Sequence, residues 1–276
     1  MTVRPHGGHL LKSQINTNSL RGTPLLDTHI HLDDPRFDTD RDPLITALPK
    51  NRVETAVTIG SNLDTSKAAA ELSLSYPHIY NTVGVHPSDL DGLPENFCDI
   101  LSALVNTKTV GIGECGLDYH YTPYDKDEQI ACFVKQIELA NKLSLPLIVH
   151  SREALDDTLT ILTETPVKAG GIIHCFSYGA EEAKAFTALG YHIAFGGAVT
   201  YKKSDHLIEA AKSTPKDRLL LETDAPYLAP VPCRGKRNDS TLMIHTATFL
   251  AEQLGISFEE LEKQTTENAK KLFRIE

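Results

Sequence analysis

Short apolar runs recur along the chain, each followed by a polar stretch with helical spacing. The runs are Leu25–Ile30, Ala56–Ile59, Ile79–Val85, Thr109–Gly113, Leu145–Val149, Gly171–Ile173, His192–Phe195 and Arg218–Leu221. Near-continuous apolar runs mark strands covered on both faces, as in a parallel sheet. The stretches between them predict helices over Asp64–Tyr76, Asp125–Leu143, Glu153–Glu164, Ala180–Leu189 and Ser204–Ser213. The chain closes with Thr241–Leu254 and Ser257–Phe273. Within Asp125–Leu143, Ile130, Phe133, Val134, Ile137 and Ala140 fall on one helical face.

Strands alternating with helices give a parallel sheet under a helical cover, and about eight units favour closure into a TIM (β/α) barrel. The fold class expected is therefore α/β, one barrel domain over residues 24–276. An open doubly wound sheet would usually carry a Gly-rich phosphate turn after its first strand. Here that place holds Asp27-Thr28-His29-Ile30-His31.

A length of 276 residues suits one barrel, and 41% hydrophobic with 23% charged residues is ordinary for a globular domain. No apolar run approaches the roughly 18 residues of a membrane span. Residues 1–22 carry Arg4, Lys12 and Arg21, no acid, and no apolar stretch of the secretory kind. A flexible tail over 1–23 is expected, with a weak likeness to an organelle transit segment. The five cysteines are Cys98, Cys115, Cys132, Cys175 and Cys233, with no C-x-x-C spacing. That argues against a disulfide framework or a cysteine zinc site and fits a reducing cytoplasm. A net charge of −10 excludes a general nucleic-acid coat. It leaves a nuclease open, because acidic residues also neutralise bound cations and a local basic patch can meet phosphate.

Polar residues gather where the strands end, and in a barrel the C-terminal strand ends form the active face. His29 and His31, two apart on a strand, point the same way. Two imidazoles on one side make a metal clamp. Glu114 follows Val110-Gly-Ile-Gly113 at the end of the fourth run, where a carboxylate is costly unless paired or metal-bound. His150 follows Leu145-Pro-Leu-Ile-Val149, and His174 follows Gly171-Ile-Ile173. Asp224 closes Leu219-Leu-Leu-Glu-Thr-Asp224 and could bind a metal and take a proton from attacking water. Each residue alone has an ordinary structural explanation. Four His, one Glu and one Asp on five strand ends together do not.

These residues lie in ordered motifs: Asp27-Thr-His-Ile-His-Leu-Asp33, Val83-Gly-Val-His-Pro87, Gly113-Glu-Cys-Gly-Leu-Asp-Tyr119, Val149-His-Ser-Arg-Glu-Ala154, His174-Cys-Phe-Ser177, Leu221-Glu-Thr-Asp-Ala-Pro-Tyr-Leu228 and Arg234-Gly-Lys-Arg-Asn238. From about Leu25 to Arg274 the chain resembles the TatD family of metal-dependent DNases. The resemblance implies an amidohydrolase-like TIM barrel and hydrolysis of DNA phosphodiesters, exonuclease-like, on single strands or ends. It implies that His29, His31, Glu114, His150, His174 and Asp224 are the metal ligands, with Glu114 shared between two divalent ions. It departs from the family pattern at Asp239 and Ser240 after Asn238, at Cys233 where an aromatic is common, and at Ser88 where a second His is frequent. Four imidazoles favour zinc, manganese or iron, whereas the family resemblance implies magnesium.

Asp224 and Glu114 are the candidate catalytic residues. Arg234, Lys236 and Arg237 form the densest basic cluster and could contact a nucleic-acid backbone or only solvent. Arg152 could hold phosphate or pair with Glu153. His86 could touch substrate or brace Pro87. Tyr119 and Phe176 could stack on a base, with core packing the ordinary role for Phe176. Two alternatives stay open. One is hydrolysis of an ester or amide, such as D-aminoacyl-tRNA deacylation. The other is a barrel kept as a binding module, which would show gaps in the ligand set. No membrane and no stable protein partner are implied.

Overall fold

A computed structural model describes residues 23–276. The basic segment of residues 1–22, and with it the expected tail over 1–23, lies outside the described residues apart from Thr23.

Eight parallel strands run in the order β1 to β8. They are β1 (Leu25–Ile30), β2 (Val53–Thr58), β3 (Ile79–Val83), β4 (Thr109–Asp118), β5 (Leu147–Arg152), β6 (Gly171–Ile173), β7 (Tyr191–Phe195) and β8 (Leu219–Leu221). Each strand pairs with the next. Past β8 the chain turns back onto β1: Asp224 N donates to the His29 carbonyl at 2.9 Å and His31 N to the Ala225 carbonyl at 2.8 Å. These bonds close the ring, so the expected TIM barrel is the fold.

Nine α-helices are described: α1 (Arg41–Ala47), α2 (Leu63–Ser75), α3 (Phe97–Leu104), α4 (Lys126–Leu143), α5 (Leu155–Glu164), α6 (Ala180–Ala188), α7 (Asp205–Ser213), α8 (Met243–Leu254) and α9 (Phe258–Phe273). Their ends follow local chemistry. Asn62 and Thr65 cap the start of α2 reciprocally, Asp125 caps α4 through Glu128 N, and Gly255 ends α8 in the left-handed conformation. The sequence pattern had not predicted α1 and α3. Both are short, and α1 lacks the apolar repeat of α4.

The core has two parts. Leu26, Val57, Val110, Ile148, Ile172, Ala194 and Leu220 fill the barrel, with Ala269, Leu272 and Phe273 of α9 packed against them. A larger set joins the outer strand faces to the helices, including Leu25, Ile112, Phe133, Ile137, Phe186, Leu207 and Leu250. The alternation of Leu25 and Leu26 between the two follows from the two-residue period of a strand.

Two strand ends differ from the sequence expectation. β4 continues to Asp118, so Glu114 lies inside the strand and not at its end. Its register against β5 shifts between Ile112 and Cys115, which leaves Gly113 and Glu114 in a bulge. Gly113 has φ +132°, and a Cβ there would meet the Ile148 carbonyl oxygen. The irregular backbone re-aims one carboxylate toward the barrel mouth. Likewise β5 runs through His150 to Arg152.

Candidate metal centre

The six residues expected as ligands converge at the C-terminal mouth, and the carboxylate of Glu114 lies between them. Its Oε2 faces one group. His29 Nε2 is 3.4 Å away and His31 Nε2 3.8 Å away. Asp224 Oδ1 lies 3.8 Å from His29 Nε2 and 3.5 Å from His31 Nε2, and the two imidazole nitrogens are 3.3 Å apart. Its Oε1 faces a second group, with His150 Nδ1 at 2.9 Å and His174 Nε2 at 3.0 Å. Four donors held about 2.1 Å from one tetrahedral ion stand about 3.4 Å from each other. The spacings of 3.3 to 3.8 Å that His29 and His31 make with each other, with Glu114 and with Asp224 lie close to that value. The second group offers three protein donors, as catalytic sites do when a position is kept for water or substrate. The residues present therefore fit divalent cations.

Electrostatics point the same way. Glu114 is 4% exposed. Burial opposes its charge, but the charge of His174 and hydrogen bonds from His150 and His174 outweigh that and hold it well below the usual carboxylate range. Burial also opposes the charge of Asp224, and the hydrogen bond from His31 turns the balance downward. Burial works against protonated His31, His150 and His174, yet facing carboxylates raise all three above the ordinary imidazole value. Burial, followed by the charge of His174, lowers His29. Buried carboxylates are thus balanced by protons on imidazoles, and metal ions can replace those protons.

Two carboxylates that the sequence reading assigned no role stand behind the imidazoles. Asp118 Oδ2 lies 2.9 Å from His150 Nε2. Glu222, fully buried, has Oε1 3.3 Å from His174 Nδ1 and accepts from Cys175 N at 2.6 Å. Both occur in the motifs, Asp118 in Gly113–Tyr119 and Glu222 beside Asp224. Their signal was a buried acid near a strand end. Asp27, pushed up to about 6 by burial, accepts from Thr223 and Ser240 and ties β1 to the turn that carries Asp224. Asp224 itself sits at φ +54°, an uncommon conformation for a non-glycine residue.

The other candidates divide. His86 Nε2 is 3.7 Å from Glu114 Oε1, and its ring packs edge-on against His150 at 4.3 Å. Ser88 N donates to His86 Nδ1. Burial pushes His86 down to about 4, so it is neutral near pH 7 with its proton on Nε2, toward the centre. Arg152 donates to the Tyr121 hydroxyl, while Glu153 pairs with His120. Arg234 lies over the Tyr201 ring at 4.3 Å. Arg237 instead grips Asp40 through two 2.6 Å bonds and donates to the Arg36 carbonyl. Lys236 is exposed. Tyr119 donates its hydroxyl to Asp157 and stacks on Tyr124. Phe176 is buried against Phe186, Phe195 and Tyr178. All five cysteines are free. Among the described residues no helix is long and apolar enough to cross a membrane.

A parallel eight-stranded barrel with imidazole and carboxylate donors at its mouth defines a metal-dependent hydrolase. The family model described as TatD related DNase matches residues 26–274, and the chain belongs to that family. It is 42% identical over 253 residues to the uncharacterized metal-dependent hydrolase YabD of Bacillus subtilis, covering 91% of this chain and 99% of that protein. It is 33% identical over 259 residues to the 3'-5' ssDNA/RNA exonuclease TatD of Erwinia billingiae, covering 91% and 99%. The crystal structure of YJJV, a TatD homolog from Escherichia coli, superposes with a TM-score of 0.87 at 26% identity, covering 91% of this chain and 98% of that one.

Proposed function

We propose that the chain is a deoxyribonuclease that removes nucleotides from an end of single-stranded DNA. One barrel domain from about residue 24 would carry the reaction, in a reducing cytoplasm that suits its free cysteines. His29, His31, Glu114, His150, His174 and Asp224 would hold two divalent ions, magnesium, manganese or zinc, with Glu114 between them. The observation that carries this reading is the division of the Glu114 oxygens between two donor groups. The relative described as an exonuclease on ssDNA and RNA supports the substrate class.

Bound there, the cations would polarise a phosphodiester oxygen and lower the pKa of a water. The protein's own groups do the rest. Glu114 sets the spacing of the two groups. Asp224, kept ionised, takes the proton of the attacking water on its carboxylate. Neutral His86 offers Nε2–H to a phosphate oxygen. Arg152 and Arg234 neutralise the backbone on either side, since among the described residues no carboxylate pairs with either. Arg237, bound to Asp40, steadies the basic loop.

The test uses metal-stripped protein with Mg²⁺, Mn²⁺ or Zn²⁺ restored separately. End-labelled single-stranded DNA and a D-aminoacyl-tRNA are offered in parallel. Stepwise shortening of the DNA, without release of the amino acid, is the expected result. Deacylation with intact DNA would overturn it.

A further inference from the structure

Three tyrosines of the described residues are exposed: Tyr121 at 62%, Tyr124 at 40% and Tyr227 at 46%. All three lie on loops at the barrel mouth, after β4 or after β8. Leu228 and Val231 add exposed apolar surface beside Tyr227.

Two of these rings are braced by arginine. The Arg36 guanidinium lies 4.2 Å from the Tyr227 ring centroid, and Asp34 holds it through bonds at 2.9 and 2.8 Å. The Asp34 pair thus keeps the guanidinium against the ring. Tyr227 also stands edge-on to His31, with centroids 6.1 Å apart. Its backbone is fixed: buried Asn238 donates to its carbonyl at 2.7 Å and to that of Thr223 at 2.9 Å. The second ring, Tyr121, has Arg152 at 4.9 Å from its centroid. Arg152 is two residues beyond His150. In a closed eight-stranded ring, β4 and β5 lie opposite β8 and β1.

We propose that Tyr227 and Tyr121 are stacking platforms for nucleobases on opposite sides of the centre. A single strand then crosses the mouth from the β4/β5 rim to the β8/β1 rim. One base covers Tyr227 against its Arg36 brace, another covers Tyr121, and the strand between them passes a phosphate over the two donor groups that would hold the cations. A duplex cannot occupy both rings, because its base faces are already stacked. The inference rests on the nuclease reading of the same site. It assigns the recognition of nucleobases to residues outside the ligand set.

The test compares kcat/KM on a single-stranded DNA dodecamer with kcat/KM on methyl p-nitrophenyl phosphate, a diester without a base. Stacking of one base on an aromatic ring is worth about tenfold. Tyr227→Ala and Tyr121→Ala should each lower the DNA-to-diester ratio by about tenfold, and Tyr227→Phe should keep the ratio of the unaltered protein. Placing abasic nucleotides in the dodecamer should erase the difference between Tyr227→Ala and the unaltered protein. DNA cleavage with an unchanged ratio in both alanine variants would overturn the platforms while leaving the nuclease standing. Hydrolysis of the small diester with no cleavage of the dodecamer by unaltered protein would overturn both.

Discussion

Asp118 Oδ2 lies 2.9 Å from Nε2 of His150, on the far side of the ring from the Glu114 oxygen that Nδ1 faces. The imidazole is held at both nitrogens by carboxylates. Asp118 is itself fixed: its Oδ1 accepts from His120 N, and its backbone bonds on both sides to Gln129. Burial opposes its charge, but the bond from His150 holds it at about 2. A partner of this kind sets the tautomer and raises the basicity of the nitrogen that faces the metal. Asp118→Ala should therefore weaken Mn²⁺ binding by roughly 10- to 100-fold, with Asp118→Asn losing less. Calorimetric titration of the metal-stripped variants checks this. Equal affinity in Asp118→Ala and the unaltered protein would remove the role.

If His31, His150 and His174 hold metal as proposed, their protons must leave when it enters. Their values are raised above the ordinary one by the facing carboxylates, although burial works the other way. Metal binding then competes with protons and strengthens as pH rises. The rise in melting temperature on adding Mn²⁺ should be larger at pH 8 than at pH 6. Melting curves at both pH values with and without the ion decide it, and an equal rise at both would contradict the proton-for-metal exchange.

A different histidine sets an acid limit on the fold. His192 on β7 is 5% exposed, and burial, followed by the Arg218 charge, pushes it down to about 4. It stays neutral in the folded chain while the unfolded chain takes up a proton near the ordinary value of 6.5. Its stabilising contribution is complete above 6.5 and is lost as pH falls toward 4. The full span is about 3 kcal/mol. Urea unfolding at pH 7 and pH 4.5 should show His192→Gln losing about 2 kcal/mol less than the unaltered protein over that interval. Parallel losses in the two would show that His192 carries no linkage.

Gly84 supports the bulge that aims Glu114. A Cβ at this position would stand 2.5 Å from the backbone of Gly113, which cannot yield as a flexible side chain would. Gly84→Ala should cost about 1–3 kcal/mol of stability. It should also lower turnover more than tenfold, because misplacing a reacting group by an ångström is that costly. Denaturant melts and DNA hydrolysis measured together test both parts.

The barrel was legible because its strands are short apolar runs separated by amphipathic stretches, a pattern that survives without any contact information. Helix α1 leaves little periodic trace, with only Leu44 and Ile45 of its seven residues buried, and α3, although amphipathic, spans only eight residues. The six expected ligand residues stood out as polar side chains within or just after apolar runs, and the structure brings all six together. The bulge at Gly113 and Glu114 was not visible, because the register between β4 and β5 depends on both strands. Asp118 and Glu222 were hidden for a related reason: a carboxylate behind an imidazole reads in sequence as one more acid. Arg237 reads as a basic residue in a basic loop, and only its distance to Asp40 shows how it is used.

The most direct measurement is the rate of single-stranded DNA hydrolysis by metal-stripped protein with Mn²⁺ restored, compared with Asp224→Ala under the same conditions. Asp224 is proposed both as a ligand and as the proton acceptor, so its loss removes two functions at once. Cleavage that requires Mn²⁺ and falls at least a thousandfold in a folded Asp224→Ala protein is the expected result, on the scale of losing a general base together with electrostatic stabilisation. Cleavage that persists in that variant, or that proceeds equally without metal, would contradict the centre described here.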